Sequence, residues 1–188
     1  MENINDTIQK YLTDITNGKY GTKLTSKLGE GYNGVVYLTD KSYVIKYTTD
    51  KAEVRTALNI AKSINGQATP KYFDIHKNED GSYIIIMEKV NPISNLSDNE
   101  QKFLNMFSTK LISQLEAGKN IIVFKDGIKG KVGSPKFENL LNGLIDCLTT
   151  LKSVGIINAD IHENNLGTIG NKLVMLDVVD EKYLTSKV

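Results

Sequence analysis

The sequence predicts an α+β protein: a five-stranded antiparallel sheet with one helix, followed by a smaller, mainly helical part. Three observations predict it. Up to Val90 the apolar residues fall in short β-rich runs bounded by turn residues. After Val90 they recur at three- and four-residue spacing over two long segments. Between the two styles lies Asn91-Pro92-Ile93-Ser94, a natural linker. The expected organisation is an N-terminal helix in 1–20, a sheet-bearing part in 21–90 and a helical part in 91–188.

Taken in order, Ile4, Ile8, Leu12 and Ile15 stand at helical spacing, and Asn17-Gly18 supplies a stop. Three strands follow in Leu24–Leu28, Val35–Thr39 and Ser42–Tyr47, with a turn at Asp40-Lys41-Ser42. A helix is predicted from Asp50 to about Ile64, with Asp50 and Glu53 spaced as a capping box and Asn65-Gly66 closing it. Strands around Lys71–His76 and Tyr83–Glu88, joined by the turn at Asn78-Glu79-Asp80-Gly81, complete the sheet. In the second part Ser97 and Glu100 form another capping box. The stripe Phe103, Leu104, Phe107, Leu111, Ile112 and Leu115 then runs to Gly118. Asp126-Gly127 predicts a hairpin, and Ser134-Pro135 opens a helix carrying Phe137 to Leu151 and closed by Gly155. Short strands are expected at Leu166–Ile169 and Lys172–Leu176.

Composition narrows the function. The 188 residues are 40% hydrophobic and 24% charged, a globular balance. A net charge of +1 gives no electrostatic footprint for nucleic acid or an anionic membrane, so neither is expected as a partner. Cys147 is the sole cysteine, which excludes an intramolecular disulfide and suits a reducing compartment. The first residues lack a basic and an apolar signal region, and no apolar run approaches a membrane span. A soluble, cytoplasmic protein is expected.

Chemistry concentrates in a few places. Gly29-Glu30-Gly31-Tyr32-Asn33-Gly34-Val35-Val36 fits GxGxxGxV, in which missing side chains let backbone amides approach phosphate oxygens. Here the glycines lead into a strand and not a helix, which separates the loop from the dinucleotide-binding fingerprint. An ordinary glycine-rich turn is the bland alternative. Lys46 lies on the next strand among apolar neighbours, where a solvated lysine would be unremarkable. Glu53 is the sole acid of the following helix, and its bland role is the capping box. Asp160, His162 and Asn165 cluster in Gly155–Asn165, between an apolar helix and two short strands, and Asp177 closes the run Leu173-Val174-Met175-Leu176.

In that order the glycine loop, strand lysine, helix glutamate, Asp-x4-Asn and strand-terminal aspartate resemble the protein-kinase superfamily, from about Lys23 to Asp177. The resemblance implies a bilobal kinase-like fold that uses ATP and magnesium. By it, Gly29, Gly31, Gly34 and Lys46 would hold the phosphates, and Glu53 would pair with Lys46. Asp160 would take the proton of the acceptor hydroxyl, while Asn165 and Asp177 would hold magnesium. Met87-Glu88-Lys89-Val90 resembles the hinge whose backbone bonds adenine, at Glu88 and Val90, with Val36 and Leu28 covering the base.

There are departures from the family. Asn158-Ala159 stands in place of His-Arg, and Asp160-Ile161-His162 is similar to the loop of aminoglycoside and choline kinases. His162 is either a γ-phosphate contact or a solvated loop histidine. Asp177-Val178-Val179 replaces Asp-Phe-Gly, and the interval from Lys46 to Glu53 is short. Only eleven residues follow Asp177, which implies a reduced helical lobe without an activation segment. The implied reaction is transfer of the γ-phosphate of ATP to a hydroxyl, on a protein serine or threonine or, alternatively, on a small molecule. A nucleotide-binding pseudokinase acting as an interaction module is the non-enzymatic alternative. The helix from Phe137 to Leu151 is too apolar for one neighbour to cover. The helix from Ser97 is expected on it, with the N-terminal helix or a self-association or partner surface covering the rest.

Overall fold

The short apolar runs of the first half become the strands of one sheet. In the computed structural model, which describes residues 4–15, 21–93, 96–130, 133–157 and 161–179, β1 (Leu24–Gly31), β2 (Gly34–Thr39), β3 (Tyr43–Thr48), β4 (Tyr72–Lys77) and β5 (Tyr83–Glu88) pair antiparallel in the order β1-β2-β3-β5-β4. The expected α+β class with a five-stranded antiparallel sheet is what the chain adopts. The fold divides into two compact units, residues 1–54 with 71–89 and residues 55–70 with 90–188.

In the first unit β5 carries Ile84 and Ile86 on one face and Ile85 and Met87 on the other, so both faces need cover. Register places Tyr37 opposite Ile45 and Ile45 opposite Ile86, which puts all three on one face. Against that face packs α1 (Ile4–Lys10), continued by a π-helical turn at Tyr11–Ile15. Ile8, Tyr11 and Leu12 are buried in one cluster with Ile45, Ile84 and Ile86. The Tyr11 ring stacks on His76 at 4.5 Å, and its hydroxyl donates to Asp74 Oδ2 at 2.8 Å. Burying large apolar side chains stabilises by about 1.5–3 kcal/mol each, so α1 is an integral layer of the sheet. Ile8, Tyr11 and Leu12 are therefore spent on the sheet, whereas the sequence offers the N-terminal helix as one of two candidates to cover the Phe137–Leu151 helix.

Lys46 lies on the opposite face, since alternate residues of β3 point to opposite sides. Immediately after β3 comes α2 (Lys51–Ser63). Asp50 Oδ1 accepts the N–H groups of Ala52 at 2.8 Å and Glu53 at 3.2 Å, the expected N-terminal cap. The predicted reciprocal half, Glu53 reaching back to Asp50, gives way to a stronger partner: the Glu53 carboxylate turns to the Lys46 ammonium.

The second unit is built on α3 (Asp98–Glu116), α4 (Phe124–Ile128) and α5 (Pro135–Ser153), with a small sheet β6-β7-β8 from Asn91–Pro92, Leu166–Ile169 and Lys172–Met175. The Ser97–Glu100 capping box forms in both directions. Ser134 caps α5, accepting the Phe137 N–H at 3.2 Å, with Pro135 in the first turn. The hairpin expected at Asp126-Gly127 is instead α4. Asn120 Oδ1 takes the Ile122 N–H at 2.9 Å and starts successive turns, and Ile121 and Ile128, seven residues apart, are both buried.

On α5, Phe137, Leu141, Leu144, Ile145, Cys147, Leu148 and Leu151 are all buried, and α3, α4 and β8 lie against the helix. Phe103 meets Phe137 edge-to-face at 5.9 Å, as the expected packing of α3 requires. Lys125 of α4 pairs with Asp146 at 2.6 Å, and the Cys147 thiol donates to the Leu173 carbonyl at 3.3 Å. α3, α4 and β8 of the same unit thus contribute to the cover of α5. Among the described residues no helix is long and apolar enough to cross a membrane.

Candidate functional site

The glycine segment is a two-residue β-hairpin. Gly31 pairs with Gly34 across β1 and β2, and Tyr32 at the tip is fully exposed. The glycines differ in what surrounds them. A Cβ on Gly34 would land on the Tyr47 carbonyl oxygen, so that position must be glycine for β2 to lie beside β3. At Gly29 and Gly31 no described atom lies within 4 Å of where a Cβ would stand. Packing among the described residues does not require glycine at those two places. Beside them the Lys27 ammonium, 2.6 Å from Glu30, holds the Glu30 carboxyl below the usual range, first through the hydrogen bond and then through charge.

The tip is tied to the end of β3. The Asn33 carbonyl accepts the Thr49 N–H at 2.8 Å, and the Asn33 side-chain amide donates to Asp50 Oδ2 at 3.4 Å. Lys46 Nζ lies 2.5 Å from Glu53 Oε1, with each side chain 14% exposed. Thr48, itself fully buried, donates to the other carboxylate oxygen, Oε2, at 3.0 Å. Val36 pairs directly with Lys46 and so shares its face. Leu28 on β1 is 55% exposed.

At the end of β5 the backbone N–H groups of Glu88 and Lys89 are taken by the carbonyls of Lys71 at 2.9 Å and Ser42 at 3.1 Å. In the second unit the Val90 side chain packs against Gly167, where a Cβ would collide with it.

The second unit also holds Asn165 and Asp177. Asn165 ends a 3₁₀ turn, Glu163–Asn165, is buried at 8% exposure, and donates its N–H to the His162 carbonyl at 3.0 Å. Its own carbonyl accepts the Leu176 N–H at 2.8 Å, which fixes the residue before Asp177 beside it. Asp177 is exposed and has φ +47°, the one positive φ outside glycine among the described residues. Such a conformation costs on the order of 1–3 kcal/mol and is kept where the surroundings impose it, often at functional sites. His162 is half-buried and extended just before the turn. Asp160 lies outside the described residues.

An amide oxygen and a carboxylate suit magnesium, which takes oxygen ligands and is commonly held by one or two carboxylates together with substrate phosphates and water. Among the described residues no cluster of three or more His, Cys, Asp or Glu forms.

The sequence motifs left out Thr48 and Gly167. A buried threonine at a strand end, two residues from Lys46, is legible only once the helix is known to start immediately. Gly167 is legible only once β6 is seen to cross β7.

No protein-family model matches the chain, and no curated protein matches it. Among solved structures it is similar to the kinase PK-1 of the Cydia pomonella granulovirus, at 17% identity and a TM-score of 0.46, over 89% of this chain. The chain spans 57% of the length of that viral kinase.

Proposed function

We propose that this chain is an ATP- and magnesium-dependent phosphotransferase of kinase-like build, moving the γ-phosphate to a hydroxyl, with a protein serine or threonine as acceptor. The observation that carries the reading is the Lys46–Glu53 ion pair at 2.5 Å, formed on the strand that follows a glycine hairpin whose Gly29 and Gly31 positions stand open. A lysine held by a carboxylate on a largely buried surface is a fixed positive charge, of the kind that stabilises phosphate oxygens carried by backbone amides.

In this reading Gly29, Gly31 and Gly34 bring backbone N–H groups to the phosphates, and Lys46 neutralises their charge while Glu53 holds its ammonium in place. Val36 covers the base, and the backbone at Glu88 and Val90 bonds adenine. Because the N–H groups of Glu88 and Lys89 already have partners, Glu88 contributes its carbonyl and Val90 its N–H. Asp160 orients the acceptor hydroxyl and takes its proton, and His162 stands beside the transferred phosphate. Asn165 and Asp177 hold magnesium, which when bound offsets the negative charge of the phosphates. Catalysis then rests on positioning and electrostatics.

A small-molecule hydroxyl is the second reading, favoured by the run Asp160-Ile161-His162. Intact-mass analysis after incubation with ATP and magnesium, with protein extract in one arm and a metabolite pool in the other, tests both. Phosphate appearing on protein supports the first, and phosphate on a metabolite the second. AMP addition would mean nucleotidyl transfer, and no product in either arm would leave a nucleotide-binding interaction module. Asp160→Asn should lose about 10²–10⁴ in rate while still binding ATP; undiminished turnover would remove Asp160 from its role.

A further inference from the structure

The bonds around Glu53 point to a residue that no motif marks. Its carboxylate is held at both oxygens, Oε1 by the Lys46 ammonium and Oε2 by the Thr48 hydroxyl at 3.0 Å. Fixing both oxygens fixes the rotation of the carboxylate, which decides where Lys46 can rest. Thr48 is suited to this. It is fully buried, so water does not compete for its hydroxyl, and that oxygen also accepts the Asp50 N–H at 3.1 Å at the start of α2.

A hydroxyl has a single proton to give. The other acceptor within reach, the Asn33 carbonyl at 3.3 Å, already takes the Thr49 N–H at 2.8 Å. The carboxylate is nearer and charged, so the proton goes to Glu53. The same Asn33 carbonyl belongs to the tip of the glycine hairpin. Thr48 therefore bonds two things at once, the Lys46–Glu53 pair and the first turn of α2, beside a hairpin tip that the Thr49 N–H holds. The short interval from Lys46 to Glu53 makes this feasible, because β3 runs into α2 with only Thr49 and Asp50 between them.

We propose that Thr48 is a positioning residue that orients Glu53 toward Lys46 and ties that carboxylate to the start of α2. Its consequence for nucleotide binding rests on the phosphotransferase reading; its hold on Lys46 does not.

The test uses the full chain with Thr48→Val, which removes the hydroxyl and keeps the branched shape, Thr48→Ser, which restores it, and Glu53→Gln alone and combined with Thr48→Val. The first readout needs no nucleotide: the rate at which a lysine-acylating reagent labels Lys46, resolved by peptide mass analysis. Labelling should rise several-fold in Thr48→Val, return toward the wild-type rate in Thr48→Ser, and be raised in Glu53→Gln with little further rise in the double variant, because coupled neighbours are not additive. The second readout is affinity for magnesium-ATP, expected to fall about tenfold in Thr48→Val and to recover in Thr48→Ser, the scale of a lost hydrogen bond to a charged group.

Lys46 labelling unchanged in Thr48→Val, or rises that simply add in the double variant, would overturn the proposal. Should Thr48→Val fail to fold, Thr48→Ser against Thr48→Ala decides by the same labelling, and equal rates in these two would also overturn it. A wild-type chain that binds no nucleotide while the labelling pattern holds would defeat the phosphotransferase reading and leave the positioning role standing.

Discussion

The two units hold their candidate residues by different means. In the first, side chains hold one another: Lys46 by Glu53, Glu53 by Thr48, and the hairpin tip by the β3–α2 junction. In the second, backbone groups take part as well. Asn165 receives the Leu176 N–H through its carbonyl, and Asp177 is displayed to solvent by a left-handed backbone conformation. A side-chain network couples function to stability, because removing one member leaves a buried polar group without its partner.

The sharpest way to break this contrast is at Asp177. Asp177→Ala should abolish magnesium-dependent nucleotide turnover with little change in the melting temperature. Asp177→Gly should abolish it equally and leave the protein as stable or more so, since glycine accepts φ +47° without strain. Turnover and thermal melts on both variants check this, and a large loss of stability in Asp177→Gly would show that the carboxylate itself supports the fold.

Within the hairpin the glycines should separate in the same way. Gly34→Ala drives a methyl group into the Tyr47 carbonyl, so β2 and β3 must part, a loss on the order of 1–3 kcal/mol or more by denaturant unfolding. Gly31→Ala meets open space and should leave unfolding unchanged within about 0.5 kcal/mol, while weakening nucleotide binding severalfold. Equal stability losses would mean that both glycines serve the strands alone.

The smallest effect concerns Cys147. Burial pushes its thiol up to about 12 from an ordinary 9.0. Sign matters here: the unfolded chain releases this proton first, so the contribution to stability is complete below pH 9 and declines as pH rises toward 12. Native Cys147 should resist a thiol reagent at pH 8 and react on unfolding, and comparing Cys147→Ala with wild type by melts from pH 8 to pH 10 isolates the linkage.

Much of this arrangement was legible in the sequence, because the signals were local. Ser97, Glu100, Ser134 and Pro135 mark helix starts through their own chemistry, and the glycine spacing marks the hairpin between β1 and β2. What was not legible depended on partners distant in the chain. Asp126-Gly127 carries a hairpin signature, yet burial of Ile121 and Ile128 beneath a short helix prevails over that local preference. The N-terminal helix shows an apolar face but not which surface it meets, and only the two-sided hydrophobicity of β5 identifies the sheet as its partner. Glu53 reads equally as a cap or an ion-pair partner until Lys46 is seen opposite it.

The Lys46–Glu53 ion pair beside the glycine hairpin is the centre of the proposed nucleotide site. Calorimetric titration of magnesium-ATP into wild type and Lys46→Met, each checked for native circular dichroism, addresses it most directly. The account predicts saturable one-to-one binding to wild type and affinity weakened by about tenfold or more in Lys46→Met, the loss of a charge-assisted contact. Absence of binding to wild type, or equal affinity in the two proteins, would contradict it.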